Sequence, residues 1–514
     1  MKLIRSIATI SGYTAGSRVF GFLREILMAY FLGAGLKSDA LVIAIKLPSI
    51  LRRLFAEGAF NTTFVPMFAR LLAGDKPEEA RSFAEEILSI LTFSLALLVI
   101  IVEVILPWIM PIVVPGFIKT PERLALAIEY SRITFPFIFF ISLTALYSGI
   151  LNSLERFVAV ASSPMMGNVG IILVVFALVP FAIPPGHAFS VGIAFCGVIQ
   201  FLWVLYPAYK SGMSLRLKLP RLTPRVKKFL LLAGPAAAGS GIVQINILLD
   251  TLIASLLPAG GVSYIHYADR LNQLPLSMLG TAVGTALLPL LSKKLRSNDI
   301  KGAIESQNLA LEYALLFVLP AAIGLIFLAQ PLMKVLFERG DFGPTETRAS
   351  AHALMALASG LPAYIMIKIF STSFFARQDT KTPVKFAILS VVINLILNLT
   401  LIWPLKHVGL ALSTSIAAWI NAILLATTLW RQGFLVLNPR IKRFFPRLLI
   451  ASSLTVVFIE SIRPVVFPLI SDFILQNVFC LTLLIAASLG MFVLLARLTG
   501  ALDFKDLRFQ LKSS

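Results

Sequence analysis

Charge is scarce in this 514-residue chain, where Asp, Glu, Lys and Arg together make up only 14% of the residues. That excludes a soluble multidomain enzyme, whose surface needs far more charge. Cysteine is rarer still. Cys196 and Cys480 both lie inside apolar runs, so there is no disulfide framework and no metal-ligand spacing. Of the four histidines only His266 lies well inside an apolar run; His187, His352 and His407 sit near the ends of such runs and read as interfacial side chains. Nucleophile elbow, Walker loop and HExxH motifs are all missing, and Asp379 reads as a turn residue rather than an acid catalyst, so the chain is not read as an enzyme. Acidic residues are the scarcer sign, 25 against 45 basic, for a net charge of +20. In a soluble protein that surplus would point to nucleic acid. In a membrane protein, cytoplasmic loops collect Lys and Arg.

What is abundant is apolar sequence: 58% of residues, with a mean hydropathy of +0.89. Periodic apolar segments fall near 7–32, 40–72, 83–114, 124–151, 157–183, 188–209, 229–257, 264–291, 309–337, 349–375, 386–403, 408–430, 448–462 and 473–495. Most reach the roughly 20 residues that cross a bilayer. The expected fold is therefore an all-α polytopic membrane protein with fourteen spans. Lys2 and Arg5 precede the first span as in a signal peptide, but no A-x-A site follows and Arg18 and Arg24 interrupt the run, so it reads as a retained helix. An even number of spans puts both termini on one side. With that side cytoplasmic, 29 of the 45 basic residues fall in inside loops and 7 outside, which sets the orientation and removes nucleic acid as a partner.

Segments after the seventh span echo those after the first. Lys46-Leu47-Pro48 and Phe64-Val65-Pro66 correspond to Gln273-Leu274-Pro275 and Leu287-Leu288-Pro289, and Pro136 and Pro164 to Pro362 and Pro383. The chain thus divides into two parallel six-span repeats, an N-lobe at 1–215 and a C-lobe at 216–432. Residues 433–514 form an appendage with the last two spans. The basic stretch Lys210 to Lys228 is the expected linker. Repeats of this kind place a substrate site near the midplane, with alternating access by rocking of the halves.

Nine basic residues remain within the spans. Arg18 and Arg24 in the first, Arg52 and Arg53 in the second and Arg270 in the eighth would cost on the order of 12–17 kcal/mol if all faced lipid, so they line water or meet anions. On the second span Asp39, Lys46, Arg53 and Glu57 fall within about 40° of one another around the helix, and Arg53 and Glu57 form an i,i+4 pair. Arg52 points away from that stripe, and Pro48 and Gly58 favour a bend or break. On the eighth, His266 and Arg270 share a face, with Gln273 behind and Asp269 adjacent. Inter-helix ion pairs that only hold the bundle together would account for some of these charges. The bases nevertheless outnumber Asp39, Glu57, Asp269 and Glu25, which implies an anionic ligand, and guanidinium forks suit phosphate oxygens. A second cluster comprises Asp250, Asn394, Asn398 and Thr414. Its oxygens suit a hard cation such as sodium; the alternative is hydrogen bonding across helices, with Asp250 protonated or lining water.

The stretches SRVFGFLRE (Ser17 to Glu25), GAGLKSDA (Gly33 to Ala40), KLPSILRRLFAEGAFNTTFVP (Lys46 to Pro66), YADRL (Tyr267 to Leu271), RQDTKTPVK (Arg377 to Lys385) and PLKHVGLALS (Pro404 to Ser413) closely resemble the MurJ/MviN family. These are lipid II flippases of the multidrug/oligosaccharidyl-lipid/polysaccharide exporter superfamily. The resemblance implies transport of undecaprenyl pyrophosphate carrying the peptidoglycan disaccharide-pentapeptide across the bacterial cytoplasmic (inner) membrane, from the inner to the outer leaflet. It implies substrate-binding roles for Arg18, Arg24, Asp39, Arg52, Arg53, Glu57, Asp269 and Arg270. The arginines would hold the pyrophosphate and the acids restrain them between turnovers. It also implies a groove for the lipid tail on the last two spans, and a sodium site from Asp250, Asn394, Asn398, Thr414 and the Leu410 carbonyl, weakened because Asn398 replaces a carboxylate. Lipid II and membrane lipids are the expected partners, with cell-wall synthesis proteins beside them, and a monomer is expected. Three alternatives stand against this reading. A flippase for another polyprenyl-linked oligosaccharide would share the basic cavity, a drug/cation antiporter of the superfamily would need an acidic one, and a non-transporting scaffold for cell-wall synthesis would use these charges only structurally.

Overall fold

The computed structural model describes residues 2–53, 60–74, 77–436, 439–466 and 474–502. Among them the secondary structure is helical, with no strand beyond one isolated bridge between Arg339 and Phe342. Among the described residues, nine stretches are long and apolar enough to cross a membrane. A backbone in lipid must satisfy its own hydrogen bonds, and helices do so within one segment. The helices divide into two compact units, residues 1–263 with 339–342 and residues 264–338 with 343–514.

The first unit holds α1 (Lys2–Leu32), α2 (Leu36–Arg52), α3 (Asn61–Ala73), α4 (Pro77–Val113), α5 (Pro121–Thr134), α6 (Phe137–Ser153), α7 (Phe157–Leu178), α8 (Pro185–Lys210) and α9 (Pro224–Ser255). The segment read as one span over 40–72 carries α2 and α3, with residues 54–59 outside the described residues, and the span over 124–151 is broken into α5 and α6 at Phe135 and Pro136. Proline has no N–H to continue the ladder, so α6 starts afresh there. Phe60, Phe64 and Phe68 recur every fourth residue and therefore share a face. Their rings stack at 4.9 and 5.4 Å, and Phe83 of α4 joins Phe64 at 5.6 Å. Lipid supplies no hydrophobic drive between apolar helices, so close packing must do that work, and small residues permit it. At the α7/α8 seam a Cβ on Gly167 would lie 2.6 Å from Gln200 and 2.7 Å from Cys196, and one on Gly170 would lie 2.3 Å from Ile199.

The basic linker is held rather than loose. Residues 214–222 run without helix along the acidic first turns of α4. Glu85 accepts the Arg216 N–H at 3.1 Å and pairs with Lys218 at 2.6 Å, Glu86 accepts from Thr223 at 2.7 Å, and Glu79 pairs with Arg225 at 2.5 Å.

The second unit holds α10 (Gly261–Arg296), which begins just before it, then α11 (Ile300–Phe327), α12 (Ala329–Phe337), α13 (Pro344–Ala358), α14 (Leu361–Ala376), α15 (Lys381–Arg431), α16 (Pro439–Val466) and α17 (Ile474–Leu498). The spans expected over 309–337 and 349–375 each come as two helices. The second of these joints is at Gly360, where a side chain would strike Ser415 of α15. Residues 386–430, read as two spans, lie in α15, which leaves helical geometry only at Lys406 (φ 50°, ψ −128°). The chain reverses there: Gly409 abuts the Leu401 carbonyl, and Ser390 donates to Ala417 O at 3.0 Å. The core of this unit lies between α11, α14, α15 and α16, around Leu311, Leu315, Leu361, Ile365, Leu425 and Leu448.

Candidate anion site and the charges around it

In the first unit α1 packs on α7 with Gly16 against Met165 and Gly21 against Asn168. This approach puts Asn168 within reach of Arg24. One guanidinium nitrogen donates to Asn168 Oδ1 at 3.0 Å and the other to buried Glu25 at 2.6 Å. Asn168 is itself held, donating to Ser17 O at 3.3 Å and Pro164 O at 3.1 Å. Arg18, further up the helix, is exposed. Arg52 ends α2 half-buried and Arg53 caps it, exposed, with helical φ and ψ. On α8 the buried Cys196 sits against Gly167 of α7. Gln200, one turn on, donates to that sulfur at 3.0 Å. Glu57, the expected i,i+4 partner of Arg53, lies outside the described residues.

Asp39 has a different setting. Its side chain is wholly buried and pairs with Arg123 of α5 at 2.6 Å. The same carboxylate accepts the Gly260 N–H at 2.7 Å, the Ser263 N–H at 2.8 Å and the Ser263 hydroxyl at 2.6 Å. Arg123 donates onward to Leu257 O at 3.0 Å and lies 3.7 Å over the Phe117 ring. The pairing and these hydrogen bonds recover much of the desolvation cost that a lone buried carboxylate could not, although Arg123 Nε is buried without a partner among the described residues. Asp39 thus ties α2, α5 and the turn at 257–263 together.

In the second unit, Asp269 accepts from Gln273 at 3.2 Å, one helical turn on. Arg270 is half-buried beside it, and His266 is buried with its ring edge-on to Tyr267 at 5.6 Å. The aliphatic end of Lys368 in α14 packs against Gly284 of α10. Of the oxygen-rich residues, Asp250 belongs to the first unit and accepts from Asn246 at 3.3 Å. Asn394, Asn398, Leu410 and Thr414 belong to the second. There Asn398 donates to Asn394 Oδ1 at 3.1 Å and Thr414 to the Leu410 carbonyl at 2.9 Å. All five contribute oxygen, the donor chemistry of hard cations.

A family profile described as "Lipid II flippase MurJ" matches residues 28–495. The chain belongs to the MurJ family. A relative from Rhizobium meliloti (strain 1021), named "Probable lipid II flippase MurJ", is 42% identical over 460 residues, covering 88% of this chain and 85% of its own. A solved structure titled "Lipid II flippase MurJ, inward closed conformation" is 27% identical, covers 97% of this chain and 99% of its own, and superposes with a TM-score of 0.76. An inward-facing multidrug resistance transporter of the MATE family covers 81% of this chain and 94% of its own at 15% identity and a TM-score of 0.65, which is a likeness of fold alone.

The MurJ-like stretches fall at identifiable places in this fold. Ser17 to Glu25 carries Arg24 and its acidic partner, and Gly33 to Ala40 carries the buried Asp39. Arg377, which opens the 377–385 stretch, bonds to Ser373 O at 2.8 Å and lies 3.9 Å over the Phe434 ring. Three partners escaped the sequence reading. Arg123 counts there as an outside-loop base, and Asn168 and Ser263 carry no local signal. Only the chain's folding brings them to Asp39 and Arg24.

Proposed function

We propose that this multi-pass membrane protein is a flippase for lipid II, moving it from the inner to the outer leaflet of the bacterial cytoplasmic membrane by alternating access. The observation that carries the reading is Arg24, a guanidinium within a span held in place by Asn168 and Glu25, in a chain of the MurJ family. A guanidinium fork suits a pyrophosphate, whose phosphate oxygens it can bind in pairs. A drug or cation exporter would want acids at this place. The decisive experiment is complementation of a flippase-depleted bacterium, with lipid II assayed in the outer leaflet. Wild type restores surface lipid II and Arg24→Ala or Arg270→Ala does not; normal surface lipid II from both variants refutes the reading and favours a scaffold.

The finer layout belongs to the same proposal: fourteen spans, with six-helix repeats at 1–215 and 216–432 and a tail groove on 433–514. In support, a proline lies within one residue of the start of both α6 and α14, Pro136 before the first and Pro362 in the first turn of the second. The outer faces of α16 and α17 expose Leu449, Val457, Phe479, Leu483 and Leu489, which suits a polyprenyl chain. The basic loops favour cytoplasmic termini. The protein would work as a monomer, alongside cell-wall synthesis proteins and without nucleic acid. Sodium would bind weakly through Asp250, Asn394, Asn398, Thr414 and the Leu410 carbonyl. Purified protein should then melt slightly higher in sodium than in choline chloride, and Asp250→Asn should abolish the difference; a sodium effect that survives Asp250→Asn refutes this site.

A further inference from the structure

A second polar cavity, remote in sequence from the arginines of α1 and α2, lies where the ends of α10, α11 and α16 meet. It has a volume of about 280 Å³ and is lined by Lys294, Glu305, Ser306, Asn308, Glu312 and Arg440. Each of these elements passes here from charged to apolar sequence: Lys293, Lys294 and Arg296 close α10, and the apolar run of α11 begins at Leu309. The cavity therefore sits at the level of lipid headgroups. A second crevice sharing Glu312 and Arg440 adjoins it, and Leu316, Phe444 and Leu502 line that crevice.

The cavity carries both signs of charge and one unsatisfied acceptor. Lys294 spends two of its three N–H donors, on Gly302 O at 3.0 Å and Ser306 Oγ at 2.8 Å, and keeps the third. Glu312 is buried and receives Arg440 Nε at 2.9 Å. Asn308, only 2% exposed, donates its amide to Val436 O at 2.7 Å, while its Oδ1 is buried with no hydrogen-bond partner among the described residues. A buried acceptor left unmade costs about 1–3 kcal/mol, so a donor from outside the chain has a place there. With Glu305 at the rim, the acceptors call for an ammonium that can donate hydrogen bonds, and Lys294 calls for an anion beside it.

We propose that this cavity binds the phosphoethanolamine group, its primary ammonium on Asn308 Oδ1 and the Glu305 carboxylate and its phosphate on Lys294. In the lipid-borne form the acyl chains run out into the surrounding bilayer. Choline has the same charge but no N–H, so it is refused. The test is native mass spectrometry of the full chain extracted from nanodiscs holding equal phosphatidylethanolamine and phosphatidylcholine. Retention should favour the ethanolamine lipid about tenfold, the worth of one hydrogen bond to a charged group. Glu305→Gln, at an exposed position that cannot upset folding, and Asn308→Leu should each erode that preference. A thermal shift by soluble phosphoethanolamine in pure phosphatidylcholine discs, without lipid retention, assigns the site to the free compound and still supports the chemistry. Equal retention of the two lipids with no such shift, or a preference unchanged in both variants, overturns the proposal.

Discussion

Replacing Arg123 by leucine removes the cation that faces Asp39 at a place from which water is excluded. Arg123 is 2% exposed and Asp39 not at all, and their contact is 2.6 Å. The variant leaves a carboxylate bonded to Gly260 and Ser263 but without its counter-charge, and the Leu257 carbonyl without its donor. Breaking a buried pair from one side costs about 3–5 kcal/mol. Leucine fills much of the arginine stem volume over Phe117, so the loss is mainly electrostatic. The assay is a double-mutant cycle on thermal stability in detergent, with Arg123→Leu, Asp39→Asn and the pair. Because the two side chains touch, the penalties should be non-additive, the pair losing less than the sum by roughly 1–3 kcal/mol. Strictly additive penalties, or an Arg123→Leu protein as stable as wild type, would refute the reasoning.

Three further outcomes follow from the same geometry. Arg24→Lys keeps the charge but loses the fork that reaches Asn168 and Glu25 together, so it should complement a flippase-depleted strain far less well than wild type; full complementation would mean that charge alone suffices. Gly167→Val places branched carbons where even a Cβ lies 2.6 Å from Gln200, and should lower stability by about 1–3 kcal/mol through overpacking, read as a lower melting temperature. Outside the spans, Asp379 accepts the Thr382 N–H at 3.0 Å and its hydroxyl at 2.7 Å, bonds that hold its carboxyl below the usual range. Its contribution is present above the unfolded carboxyl range and is lost as pH falls through the folded value. The melting-temperature gap between wild type and Asp379→Ala should therefore close on acidification; a gap constant with pH would speak against it.

Much of the membrane architecture is legible in one dimension because lipid imposes a one-dimensional rule. A segment must be apolar for about 20 residues and helical throughout, and each such run in the described chain is helix. Breaks within the runs were less legible. Pro136 stops a helix, whereas Pro164 lies inside α7 and Pro48 inside α2, so a proline alone does not say whether neighbours will compensate for its missing N–H. The candidate site divides in the same way. Arg18, Arg24, Arg52, Arg53 and Arg270 stand out because an arginine in a span is costly wherever it points. Whom each one meets is a matter of helix packing.

By itself, then, the sequence determined that the protein is helical and membrane-bound, and which charges lipid would not tolerate. These follow from local composition and the cost of burying polar groups. Tertiary structure alone decided that Asp39 is spent on Arg123, a base 84 residues away that reads as a loop residue. It likewise decided that Arg24 is held by Asn168, 144 residues distant. Those choices depend on which helices pack together, for α1 and α7 through Gly16 and Gly21, and hydropathy, which scores residues one at a time, carries no record of such packing.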